Sequence, residues 1–124
     1  MPQPTMRPVI IVLAGLAALA PCTALAHAML DHAMPPVGSS QVAAPHEVAL
    51  TFTEDLEPAF STIEVRSESG AVVSSGKAHV DSKQHTQLRV PLNPLPPGTY
   101  KVIWRVLSVD THRTQGDFTF RVGQ

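Results

Sequence analysis

The stretch Leu95-Pro96-Pro97-Gly98-Thr99-Tyr100-Lys101-Val102-Ile103-Trp104-Arg105-Val106 decides the fold. Two prolines and a glycine mark a turn, and from Tyr100 onward the large apolar side chains Tyr100, Val102, Trp104 and Val106 fall on every second residue. A period of two belongs to a half-buried strand, because successive Cβ atoms point to opposite faces of an extended chain. Outward from it the pattern repeats in Leu88, Val90 and Leu92, and in Phe118, Phe120 and Val122. It recurs earlier as Val48, Leu50 and Phe52 against Ala49, Thr51 and Thr53, and as Ile63 and Val65 between Thr62, Glu64 and Arg66. Weaker strands are expected near Met29 to Met34 and Ala71 to Ser74, with a turn at Ser69-Gly70 between strands. About seven short strands with turn signals between them predict an all-β fold, a seven-stranded immunoglobulin-like β-sandwich or Greek-key barrel. The parity places Phe52, Tyr100, Trp104, Phe118 and Phe120 in the core and leaves Phe60 unassigned, so no aromatic platform remains for stacking sugars or bases.

The first residues are set apart from this pattern. Met1 to Pro8 carries Arg7, Val9 to Ala20 is an uncharged apolar run of about a dozen residues, and Ala24-Leu25-Ala26 is a small-residue cleavage signature. A membrane-spanning helix needs roughly 20 apolar residues, so residues 1–26 are expected to be a cleaved secretory signal peptide, with a single domain at 27–124 and no membrane span after cleavage. Pro21 ahead of Cys22 suits lipoprotein processing poorly. Cleavage after Ala26 discards Cys22, the one cysteine, and leaves a domain that is stabilised by packing without a disulfide. Loss of Arg7 from nine basic residues leaves eight against ten acidic ones, a balance that offers no basic surface for nucleic acid or anionic lipid.

Six histidines remain to be sorted. His79 and His85 lie in a polar stretch and His46 opens a strand; all three read as solvated surface, and His32 stays open. His27 differs, because cleavage after Ala26 gives it a free α-amine beside its imidazole, and the two nitrogens can close a six-membered chelate on a metal. The unperturbed amine pKa of roughly 7.7–8.0 means that little proton displacement opposes binding near neutrality. Taken alone, a cut that merely falls before a histidine explains this feature equally well. Asp110-Thr111-His112 follows the Trp104 strand; on extended backbone its carboxylate and imidazole would share one side. Standing alone, that pair reads as a turn hydrogen bond or a surface ion pair. Together His27, Asp110 and His112 supply three nitrogens and one oxygen, a set that suits tetragonal Cu(II) better than tetrahedral Zn(II) or an oxygen-caged cation. Cu(I) prefers soft sulfur donors, and only Met29 and Met34 remain after cleavage.

At these residues the chain resembles the CopC family of periplasmic copper-binding proteins. The resemblance rests on the A-x-A signal end followed by His27-Ala28-Met29-Leu30 and Pro35, on Leu50-Thr51-Phe52-Thr53-Glu54, and on Gly98 to His112 followed by Gly116-Asp117-Phe118-Thr119-Phe120. It implies a β-sandwich with His27, Asp110 and His112 as ligands of one Cu(II). Glu54 is either an outer acceptor for an imidazole N–H or a solvated carboxylate. Thr111 stands where many family members have glycine, and the region from Ala71 to Gln87 lacks the methionines of the family's Cu(I)-binding members. The expected role is a monomeric, non-enzymatic periplasmic copper carrier or buffer, with a CopD-like inner-membrane transporter as partner. The alternatives are a histidine-brace copper monooxygenase and a metal-free immunoglobulin-like interaction module.

Overall fold

Alternation of apolar and polar side chains lets a strand bury one face only, so two such sheets must close on each other. The computed structural model, which describes residues 2–6, 8, 15 and 28–123, shows that arrangement. The strands are β1 (Leu30–Met34), β2 (Ser40–Gln41), β3 (Glu47–Phe52), β4 (Thr62–Ser67), β5 (His79–Val80), β6 (Gln87–Pro91), β7 (Gly98–Leu107) and β8 (Arg113–Val122). One sheet has the order β1-β3-β6-β5 and the other β2-β8-β7-β4. A 3-10 turn, Pro58–Phe60, precedes β4. No helix among the described residues is long and apolar enough to cross a membrane.

The expected class is the observed one, but the described residues hold eight strands rather than seven. Two of them, β2 and β5, are only two residues long, too short to carry a period. Backbone pairing defines β2: it runs parallel to β8, with Arg121 N donating to Ser39 O at 2.8 Å and Gly123 N to Gln41 O at 2.9 Å. The expected strand at Ala71 to Ser74 is instead a pair of isolated bridges, Arg66 with Val72 and Ser74 with Leu92. His46 precedes β3 rather than opening it.

Val48, Leu50, Phe52, Leu88 and Val90 from the first sheet meet Val65, Val102, Val106 and Phe120 from the second, all at 2% exposure or less. Burying each such side chain contributes about 1.5–3 kcal/mol before conformational entropy is set against it. All five aromatics assigned to the core are buried, and Phe60 is 58% exposed. Phe52 and Trp104 meet edge to face at 5.1 Å. The indole reaches across to β8, where a Cβ on Gly116 would lie 2.4 Å from Trp104 Cζ2, so only glycine fits opposite it. Tyr100 stacks on Phe120 and donates its hydroxyl to Pro96 O, which ties the turn to the strand that follows. The Met34–Pro35 peptide is cis.

β7 and β8 form one long antiparallel hairpin whose register runs from Gly98 opposite Val122 to Leu107 opposite Arg113. Its closing turn contains Thr111 at φ 72°, the sole non-glycine residue with positive φ among those described. For a β-branched residue the left-handed region costs on the order of 1–3 kcal/mol. Glycine removes that strain but adds unfolded-chain entropy of roughly 0.5–1 kcal/mol. Thr111→Gly is therefore expected to raise the unfolding free energy by about 1 kcal/mol in a urea titration; a lower midpoint would contradict the strained turn.

Candidate metal site

The β7–β8 turn gathers the two predicted ligands within the described residues. Ser108 continues the inward parity of Tyr100, Val102, Trp104 and Val106, and is fully buried. Its amide donates to His112 O at 3.0 Å, and Thr111 N donates to Ser108 O at 2.9 Å, closing the turn. This corrects the expectation that Asp110 and His112 converge on extended backbone: they converge because Thr111 reverses the chain between them. The side chains still meet, with His112 Nδ1 3.3 Å from Asp110 Oδ1. Asp110 Oδ1 also accepts the Ser108 hydroxyl. Both contacts fall on Oδ1, leaving Oδ2 outside this network.

Electrostatics follow from that geometry. The Ser108 hydroxyl, and after it the His112 imidazole, hold the Asp110 carboxyl below the ordinary carboxylate range, against the opposing effect of desolvation. Asp110 is thus an anion throughout the neutral range, as a hard oxygen ligand must be. Roughly a third of each side chain is solvent-accessible, so the pair is open to an incoming ion. Sequence reasoning missed Ser108. The available signal was a small polar residue on the inward parity two positions before an aspartate.

The proposed third ligand, His27, lies outside the described residues, as does the cleavage signature before it. Ala28 and Met29 are described and firmly held. Ala28 is fully buried and its carbonyl accepts a 2.8 Å hydrogen bond from Thr114 Oγ1, two residues beyond His112. Met29 N donates to Thr53 Oγ1 at 2.9 Å, and Thr53 N donates to Met29 O at 2.9 Å. The chain entering β1 is therefore clamped between the end of β3 and the start of β8. Glu54 is half-buried on a segment adjoining the turn, where Val109 N donates to Asp55 O at 3.0 Å and Leu56 bridges Ser108. Its carboxylate makes no ion pair among the described residues.

Among the described residues no three His, Cys, Asp or Glu side chains cluster as a metal-binding group, so Asp110 and His112 stand as a pair. His46, His79 and His85 are exposed, as their sequence contexts suggest. His32 is exposed on β1 and pairs with Thr51 across the sheet; Met29 and Met34, 61% and 52% exposed, flank it.

Comparison with known proteins agrees with this architecture. The CopC domain model matches residues 30–123. Protein YobA of Escherichia coli K12 is 39% identical over 98 residues, covering 78% of this chain and 79% of that protein. Copper resistance protein C of Escherichia coli is 35% identical over 107 residues, covering 81% and 84% respectively. Among solved structures, CopC from Methylosinus trichosporium OB3b superposes with a TM-score of 0.74 at 32% identity, over 78% of this chain and 94% of that one. PcoC, a methionine-rich copper resistance protein from Escherichia coli, gives 0.68 at 34% identity, over 78% and 99%. The sandwich, the matched span and these relatives together show that the chain belongs to the CopC family.

Proposed function

We propose that residues 1–26 direct export, that cleavage follows Ala26, and that the mature chain is a monomeric periplasmic carrier or buffer of one Cu(II) ion. Its ligands are the α-amine and imidazole of His27, the imidazole of His112 and the carboxylate of Asp110. The supporting observation is the hydrogen bond from Thr114 to Ala28 O, two residues beyond His112. A chain starting at residue 27 has its first Cα about 3.8 Å from that of Ala28. The hydrogen bond thus ties the residue next to the proposed terminus to the strand that follows His112. Three nitrogens and one oxygen suit the tetragonal preference of Cu(II), and Asp110 arrives already ionised.

The names of the relatives support a role in copper handling. Those named copper resistance protein C support a role in copper tolerance. A copper transport protein of Bacillus subtilis, CutJ, is 30% identical over a match that takes up 19% of its length, which supports a role in copper transport; a CopD-like membrane transporter is the partner proposed. On this reading the protein is not an enzyme. Four protein donors fill the equatorial plane that a monooxygenase leaves open for oxygen.

Two results are expected. Adding one alanine ahead of His27 in the exported protein should weaken Cu(II) binding by several orders of magnitude in a competition titration, because the chelate loses its amine. Unchanged affinity would contradict the ligand set. Thr114→Val, which deletes the hydrogen bond to Ala28 O and leaves Asp110 and His112 in place, should weaken Cu(II) binding about tenfold to a hundredfold while the protein stays folded by circular dichroism. Wild-type affinity in that variant would show that the clamp does not position the site.

A further inference from the structure

The near-neutral total charge conceals a segregated one. Of the eight basic residues after residue 26, five lie on the outward parity of the β2-β8-β7-β4 sheet: Arg66, Lys101, Arg105, Arg113 and Arg121. Only Glu64 and Asp117 among the acidic residues share that face, and Glu64 is already paired with Arg66 at 2.5 Å. The other eight acidic residues lie elsewhere, against three basic ones.

At one end of this face is a cleft of about 310 Å³ lined by Phe60, Arg105, Val106, Arg113, Thr114 and Gln115. Arg105 stands opposite Gln115 and diagonal to Arg113, so the two guanidinium groups flank the opening. Neither forms an ion pair or hydrogen bond with any described residue, whereas Arg66 and Arg89 are each engaged by carboxylates. Phe60 adds an exposed aromatic at the rim. Exposed aromatic and arginine side chains around a recess are the composition of protein-binding hot spots. Arg113 directly follows His112, so whatever docks here lies alongside the Asp110–His112 turn.

We propose that this cleft is a docking site for an acidic segment of a partner protein, with carboxylates received by Arg105 and Arg113 and an apolar side chain against Phe60. Guanidinium groups donate to carboxylates through a bidentate fork, which rewards a shaped protein surface. An anionic bilayer would also meet Asp117 and Glu64 on the same face and gains nothing from a recess. The docking site stands independently of the copper ligands, because none of the residues that line the cleft is one of them.

The test is an NMR titration of the exported protein with an octaglutamate peptide at low salt, in parallel with vesicles of mixed phosphatidylglycerol and phosphatidylcholine. Saturable shifts are expected at Phe60, Arg105, Arg113 and Gln115 and at the two guanidinium Nε signals, fading as salt is raised. Arg105→Gln with Arg113→Gln should weaken peptide binding about tenfold, whereas Lys77→Gln with Lys83→Gln, the same change of charge elsewhere, should not. Cu(II) affinity should be unchanged in the arginine variant, which separates failure of docking from failure of the metal site. Absent or dispersed shifts, equal weakening in both double variants, preference for the vesicles, or loss of Cu(II) binding in the arginine variant would each overturn the proposal.

Discussion

Three hydrogen bonds fix where the chain enters the sandwich, and the proposed site depends on them. Thr53 holds Met29 through both of its amide-plane partners, and Thr114 holds the Ala28 carbonyl. The first contact belongs to the β1-β3-β6-β5 sheet and the second to its opposite, so residues 28–29 bridge the layers at one end of the molecule. Chain starts ordinarily fray because few interactions hold them. Here Ala28 is fully buried, and the cost of releasing it includes burial as well as hydrogen bonds. A terminal residue attached to such an anchor can act as a ligand with little further ordering, which is the condition for tight chelation by a chain end.

The opposite side of the site is built by a different device. Ser108 is polar at a position where the hairpin otherwise buries valine and tryptophan, and its hydroxyl is satisfied by Asp110 and by His112 O at 3.2 Å. A buried hydroxyl without partners would be unfavourable by a few kcal/mol, so this turn geometry and the orientation of Asp110 support one another. Thr111 takes up the resulting backbone reversal in a conformation that suits glycine. Local strain at this position thus sits directly between the two candidate ligands.

Much of this was legible from parity alone. The alternation in Tyr100 to Val106 and in Phe118 to Val122 identified both strands and their buried faces, because packing in a two-layer fold obeys the period of the strand. The short strands β2 and β5 were not legible, since backbone pairing forms them and side chains carry no record of it. For the candidate site, the pairing of Asp110 with His112 was readable but the conformation of Asp110-Thr111-His112 was not: a β-branched residue ordinarily favours extended backbone, and the tight β7–β8 turn overrode that preference. The basic face was hidden by adding charges along the chain, although Lys101, Arg105, Arg113 and Arg121 all occupy outward positions of their strands.

The central claim is that two imidazoles, one from the start of the mature chain and one from the β7–β8 turn, share one Cu(II) ion. Pulsed EPR of the copper-loaded exported protein counts coordinated imidazoles through their remote nitrogens. The account predicts two equatorial imidazoles in the wild type and one in His112→Ala. A spectrum with a single imidazole in the wild type, or one unaltered by that substitution, would contradict it.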